Sequence, residues 1–69
     1  MNDDVLNKRR DGKYEERLSE IWVAEYCENP DTGLWEVEIF KSDVAEWYSL
    51  DYVSLDDARK AAYNFYDQA

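Results

Sequence analysis

The side chains most often used for catalysis and metal binding are scarce in this chain of 69 residues, which contains no His and one Cys. Without His, the usual general base and the commonest transition-metal ligand are both missing. No Lys or Arg lies near Cys27 in the sequence to favour the reactive thiolate, so we interpret it as a structural residue on a strand. A single cysteine also allows no internal disulfide. The two glycines stand apart and form no phosphate-binding loop.

Carboxylates are the one abundant reactive group, with 17 Asp and Glu residues. A glycosidase-like pair needs a cleft that so short a chain can hardly build. No stretch matches the Asp-x-Asp-x-Asp-Gly pattern of a calcium loop, and the adjacent Asp56 and Asp57 are better explained as helix-capping residues. The sequence therefore predicts no catalytic residue, no cofactor, no metal site and no small-molecule substrate.

Charge is distributed unevenly along the chain, whose formal net charge is −9. Residues 1–17 contain five acids and five bases, whereas residues 18–69 contain twelve acids and three bases. We therefore predict a charge-neutral N-terminal arm or short helix over 1–17 and an acidic α+β domain over 18–69. An acidic surface repels nucleic acid and anionic membranes and attracts basic protein surfaces. Direct nucleic-acid or membrane binding is not expected.

Three strands are predicted from period-2 patterns over 20–28, 34–41 and about 46–53. The residues 29–33, Asn-Pro-Asp-Thr-Gly, are typical of a hairpin turn, and Ser42-Asp43 indicates another. In the second strand Trp35, Val37 and Ile39 share one face. In the third, the alternation places Tyr48, Leu50 and Tyr52 together. The strands are expected to form an antiparallel meander.

A C-terminal helix is predicted after Ser54, which is a good N-cap with Asp57 three residues later. An apolar stripe follows at helical spacing: Leu55, Ala58, Ala61, Ala62 and Phe65. Towards the N-terminus, Asp3 or Asp4 could cap a short helix over 5–11 that Gly12 ends, although a loosely ordered arm is an equal alternative. The predicted fold class is α+β, a three-stranded antiparallel meander with one C-terminal helix (β-β-β-α).

Aromatic residues are unusually frequent, with three Trp, six Tyr and two Phe. Large rings can supply the core that a chain this short otherwise lacks. One helix covers one face of a sheet, so we expect some rings to be partly exposed on the other face, from the set Trp22, Tyr26, Phe40 and Trp47. Aromatic rings set among acids suit a protein–protein contact.

The candidate partner-binding residues are an acidic group with two apolar anchors: Glu36, Glu38, Glu46, Asp51, Phe40 and Trp47. They predict a non-enzymatic module that binds a basic protein surface. In size, charge and element order the chain is similar to small phage-encoded modulators of host polymerases, nucleases and defence complexes, which implies occupation of a nucleic-acid-binding surface of a host protein. The alternative is a homo-oligomeric structural or accessory protein whose acidity serves solubility or a halophilic environment. The expected location is the cytoplasm, since no signal peptide or spanning segment is recognised.

Overall fold

The computed structural model describes residues 6–69, which form a five-stranded antiparallel sheet with one helix on one of its faces. The elements, in chain order, are β1 (Leu6–Lys8), β2 (Tyr14–Arg17), β3 (Trp22–Glu28), β4 (Trp35–Lys41), β5 (Val44–Tyr52) and α1 (Leu55–Gln68). The strands lie side by side in that order, each antiparallel to the one before it. The α+β class is as predicted, but the three-stranded meander is wrong because two further strands precede it.

The N-terminal segment is where the prediction fails. We predicted a loose arm or a short helix over 5–11, whereas Leu6–Lys8 and Tyr14–Arg17 pair as an antiparallel hairpin. Gly12 closes its turn at a φ of 90° and donates its N–H to the Arg9 carbonyl at 3.1 Å. A two-stranded hairpin is marginal alone, but β2 also pairs with β3, and this tertiary pairing overrides the weak local helix signal. The proposed caps Asp3 and Asp4 lie outside the described residues.

The two hairpin turns of the meander are confirmed. Gly33 has a φ of 75°, and its N–H donates to the Asn29 carbonyl at 2.7 Å. The Asn29 side chain accepts the Asp31 N–H at 2.8 Å, which is the local bond that favours Asn in turns. At the next turn Ser42 and Asp43 have φ values of 51° and 69° between the paired residues Lys41 and Val44. Two successive positive φ values are typical of the type I′ turn.

Pairing between β4 and β5 is interrupted by two register shifts, one between Trp35 and Val37 and one between Ile39 and Phe40. The first changes the face of Tyr52. We predicted Tyr52 on the same face as Tyr48 and Leu50, but it packs against the core, and its hydroxyl lies 2.8 Å from the Ser49 hydroxyl. Asp51, at a φ of 74°, sits in this irregular step. Extra residues of this kind interrupt strict alternation, and the sequence pattern gave no sign of it.

Helix α1 begins as predicted. The Ser54 hydroxyl accepts the Asp57 N–H at 3.1 Å, and Asp56 and Asp57 occupy the positive end of the helix dipole. Ala58 and Ala62 are completely buried, so the helix lies close to the sheet. The buried hydrophobic residues are Ala24, Tyr26, Val37, Ile39, Ala58 and Ala62.

Most of the aromatic rings lie on the face that α1 covers. Tyr26 is completely buried. Trp47 stacks on Phe65 with ring centroids 4.8 Å apart and an interplanar angle of 9°. Trp22 meets the same phenylalanine edge-on at 6.1 Å. We predicted that some of the set Trp22, Tyr26, Phe40 and Trp47 lie on the other face. Phe40 is the member that does, because its strand neighbour Ile39 points into the core.

Candidate functional site

Two groups of polar side chains occupy opposite faces of the sheet. One lies under α1 and is built around Glu16, which is the buried charged residue among residues 6–69. The other lies on the face turned away from α1, which we call the open face. Its side chains come from the strand positions that alternate with the core: Asn7, Glu15, Arg17, Val23, Glu25, Cys27, Glu36, Glu38, Phe40 and Tyr48.

Glu16 reaches the core because of its register. Strand pairing aligns it with Leu6 on one side and Ala24 on the other, and Ala24 is completely buried beneath α1. A carboxylate in such a position costs several kcal/mol unless charged and hydrogen-bonding partners surround it. Three residues supply those partners, and we call Glu16, Tyr26, Arg59 and Tyr63 the Glu16 cluster.

Each carboxylate oxygen of Glu16 accepts two hydrogen bonds. Oε1 accepts from the Tyr26 hydroxyl at 2.7 Å and from Arg59 Nε at 3.2 Å. Oε2 accepts from Arg59 Nη2 at 2.8 Å and from the Tyr63 hydroxyl at 2.5 Å. Arg59 therefore makes a two-point contact, which is the strongest geometry for an ion pair between these groups. Within residues 6–69, no buried side-chain nitrogen or oxygen is left without a partner.

These contacts fix the protonation states of the cluster. Burial raises the pKa of the Glu16 carboxyl, but the hydrogen bonds from Arg59, Tyr63 and Tyr26 together outweigh it, so the pKa lies below its ordinary value. Burial and the hydrogen bond to Glu16 raise the pKa of the Tyr26 and Tyr63 hydroxyls. The cluster thus holds a carboxylate at neutral pH whose acceptor sites are all occupied. Its role is to join β2 and β3 to α1.

On the open face, three glutamates lie directly opposite one another on adjacent strands. Glu15 pairs with Glu25 across β2 and β3, and Glu25 pairs with Glu38 across β3 and β4. We call these three residues the acidic row. Adjacent strands are about 4.7–4.9 Å apart, and like charges in directly opposite positions destabilise a sheet. Arg9 offsets part of this repulsion through an ion pair with Glu25 at 2.9 Å.

Glu36 lies beside the acidic row. Its Oε1 accepts the Tyr48 hydroxyl at 2.6 Å, and this hydrogen bond raises the pKa of Tyr48. Glu36 and Tyr48 line a small depression of about 40 Å³ together with two residues of the acidic row. The full lining is Lys13, Glu25, Cys27, Glu36, Glu38 and Tyr48. Cys27 is half-buried there, and its thiol lies 3.7 Å from the Glu28 carbonyl.

The structure places the predicted partner-binding residues in three different settings. Glu36, Glu38 and Phe40 share the open face. Glu46 and Asp51 are exposed on β5, beside its two register shifts, and do not extend the acidic row. Trp47 is the misplaced residue, since it stacks under α1 and cannot serve as an exposed anchor.

Sequence reasoning missed both the acidic row and the Glu16 cluster. Glu15 and Glu16 were assigned to the charge-neutral N-terminal arm or short helix over 1–17, so the faces of their side chains were not considered. The available signal was the period-2 position of Glu16 between Tyr14 and Leu18, which marks it as an inward residue of a strand. Glu25 was recognisable as the residue between the inward Ala24 and Tyr26 of β3.

Comparison with known proteins adds no relative. No family model matches the chain, and no curated protein or solved structure is found to be similar to it. Among residues 6–69, no helix is both long enough and apolar enough to cross a membrane. In the same range, no group of three or more Cys, Asp or Glu side chains is arranged to hold a metal ion. The geometry of the open face is therefore the remaining indication of function.

Proposed function

We propose that this protein is a small non-enzymatic binding module that docks a basic surface of another protein on the open face of its sheet. The observation that supports this is the acidic row, in which Glu25 lies between Glu15 and Glu38. Cross-strand pairs of opposite charge or of β-branched residues would stabilise the sheet, whereas this arrangement weakens it. A row of carboxylates kept at a cost to stability fits a surface that meets Lys and Arg side chains.

The negative charge of the protein predicts how binding should depend on salt concentration. The net charge of −9 produces a field that attracts a basic partner and accelerates its diffusional encounter. The effect is screened over about 10 Å at 0.1 M salt. Binding through the open face should therefore weaken as salt increases, mainly through slower association.

One form of this proposal is a phage-type modulator that occupies the nucleic-acid-binding surface of a host polymerase, nuclease or defence complex. Its support is charge, because a surface that holds phosphates presents the Lys and Arg side chains that the acidic row would attract. A partner of this kind would be released from the module by competing DNA or RNA. Release by salt alone, with no effect of nucleic acid, would point to a basic surface of another kind.

The experiment compares three immobilised proteins for capture of partners from the native host's lysate. They are the wild type, the open-face variant Glu36→Lys/Glu38→Lys, and the control Glu20→Lys/Asp67→Lys, whose changes lie at exposed positions outside the open face. Both variants have a net charge of −5, from −9 plus four. We expect a protein that the wild type and the control capture at low salt and the open-face variant does not. Equal capture by all three, or equal loss in both variants, would contradict the proposal.

The alternative, a homo-oligomeric structural or accessory protein, now lacks the interface we predicted for it. That interface was an exposed aromatic face, and Trp22, Tyr26 and Trp47 lie beneath α1 instead. Sedimentation of the purified protein tests the alternative directly. A dimer at micromolar concentration that persists in high salt would favour self-assembly over a basic partner.

A further inference from the structure

Strand β5 forms one edge of the sheet. It is nine residues long, and among residues 6–69 no other strand pairs with it on the side away from β4. Alternate backbone N–H and C=O groups of an edge strand point outward and can pair with another extended chain. Proteins commonly protect such edges with Lys or Pro, and neither residue occurs in Val44–Tyr52.

Exposed apolar side chains are concentrated along this edge. Six large hydrophobic residues are exposed in residues 6–69, and four of them lie on β5 or immediately after it. They are Val44, Tyr48, Leu50 and Val53, which are 60%, 53%, 50% and 73% exposed. An open backbone edge with apolar side chains beside it is the surface used when a peptide adds a strand to a sheet.

Charge along the edge selects the kind of chain that can pair there. Between Ser42 and Ala58 the sequence has five acids and no Lys or Arg. A second copy of β5 would bring its own Asp43, Glu46 and Asp51 against these residues, which like-charge repulsion disfavours. A strand that carries Lys or Arg would instead place positive charges beside these acids, and such opposite-charge pairs stabilise strand pairing.

We propose that the β5 edge takes an extended segment of a partner protein as a sixth strand, with basic and apolar side chains alternating along that segment. This inference rests on the proposed function, because it supplies the means by which a basic partner reaches the open face. The Tyr48 hydroxyl bonded to Glu36 joins the edge to that face. Basic side chains on the open-face side of the added strand come next to Tyr48, about 9–10 Å from the strand that carries Glu36 and Glu38, a distance that long Lys and Arg side chains span.

The register shifts of β5 limit where the added strand sits. Regular pairing with β4 runs through Trp47, Tyr48 and Ser49, and irregular steps lie on both sides of it. The added strand is therefore short and centred on Tyr48. Asp51, with its φ of 74°, lies in the irregular step on the C-terminal side of this run.

Amide hydrogen exchange on the isotope-labelled full chain tests the inference. The probe is a synthetic ten-residue peptide of alternating lysine and valine. Control peptides replace each lysine by glutamate, or the central valines by proline. We expect the lysine–valine peptide to slow exchange of the outward-facing amides of residues 46–50 by about tenfold or more, because strand pairing protects them. The amides of β1, at the other edge, should exchange as before.

Two variants provide matched controls. Leu50→Lys places a positive charge at the β5 edge, whereas Ile21→Lys makes the same change at a residue of similar exposure (46% against 50%) outside the strands. We expect the peptide's affinity to fall about tenfold or more in Leu50→Lys and to stay within about twofold in Ile21→Lys. Equal affinity in the two variants would overturn the inference.

The remaining outcomes separate this inference from the proposed function. If the peptide shifts the resonances of Glu25 and Glu38 but leaves the β5 amides unprotected, strand addition is wrong and an open-face surface remains. If the β5 amides become protected without peptide as protein concentration rises, a second copy is the occupant and the inference is overturned. Failure of the peptide to bind at all also overturns it, while the charge-matched capture experiment decides the proposed function independently.

Discussion

Glu15 and Glu16 are adjacent residues of the same type with opposite roles. Glu16 is completely buried and accepts four hydrogen bonds, whereas Glu15 points to the open face opposite Glu25. The difference follows from strand geometry, since successive side chains point to opposite faces of a sheet. One carboxylate joins the helix to the sheet, and the other contributes to a repulsive row.

Replacing Glu16 by Gln should destabilise the fold. The amide removes the negative charge beside Arg59 and presents a donor where Tyr63 and Arg59 also donate. We expect the free energy of unfolding to fall by about 1.5–3 kcal/mol, the range for a hydrogen bond to a charged group. Water reaches Arg59, whose side chain is 32% exposed, which keeps the loss below that of a fully buried pair.

Chemical denaturation measures this change, and Glu15→Gln is the matched control because it alters the neighbouring residue in the same way. The control should stay within about 0.5 kcal/mol of the wild type or gain stability. Equal destabilisation by both variants would show that the Glu16 cluster has no special role.

The same carboxylate should make stability depend on pH. The folded pKa of Glu16 lies below its ordinary value of 4.5, so its contribution is fully present above about pH 4.5 and is lost as pH falls through the folded pKa. The difference in unfolding free energy between wild type and Glu16→Gln should therefore shrink below pH 4.5. Denaturation curves for both proteins from pH 7 to pH 3 provide the measurement. A difference that stays constant over this range would contradict the assignment.

Among the elements, the turn between β4 and β5 is the one with most stored strain. Ser42 and Asp43 both adopt positive φ, a conformation that costs most residues about 1–2 kcal/mol, less for Asp and Asn and little for Gly. Ser42→Asn/Asp43→Gly should raise the free energy of unfolding by about 1 kcal/mol, or the melting temperature by about 4–8 °C for a chain of this size.

The other turn of the meander supplies the control for thermal denaturation. Asp31→Asn/Thr32→Gly introduces the same two residues where neither position has a positive φ. This variant should gain nothing, because Gly adds flexibility to the unfolded chain without relieving strain. A gain of similar size in both turns would rule out the conformational explanation.

The meander and helix were predictable because their signals are local and dense. Strands β3 and β4 alternate apolar residues, and the turn at 29–33 and the cap at Ser54 each have a distinct side-chain signature. Strand β2 has only the weak alternation of Tyr14, Glu16 and Leu18. Its sequence Tyr-Glu-Glu-Arg forms a strand because it pairs with β3 and because Arg59, 43 positions later, compensates Glu16. Both are tertiary contacts, and they cannot be predicted from residues 14–17 alone.

The candidate site was predictable to a similar degree. Period-2 alternation placed Glu36, Glu38 and Phe40 on one face correctly. It failed on β5, where the register shifts put Tyr52 into the core and separate Glu46 and Asp51 from the acidic row. It also assigned Trp47 to an exposed face, because the pattern shows which residues share a face and not which face the helix covers.

At the scale of the whole molecule, one face of the sheet stabilises the fold and the other carries a row of like charges. Helix α1 and the aromatic rings beneath it supply the core on one face. The open face carries the acidic row, and the net charge of −9 sits on a chain with a radius of gyration of 11.4 Å. Self-repulsion in so small a volume opposes folding. We propose that the open-face carboxylates serve a partner and weaken the fold.

The most direct test needs no partner: it is the unfolding free energy of Glu15→Gln/Glu38→Gln in urea at low salt. These two residues flank Glu25 in the acidic row, and among residues 6–69 neither forms an ion pair, so the contact between Arg9 and Glu25 is kept. We predict that the double variant is more stable than the wild type by about 0.2–1 kcal/mol, with the gain reduced in high salt. A loss of more than about 1 kcal/mol would mean that the carboxylates support the fold, and would contradict the account.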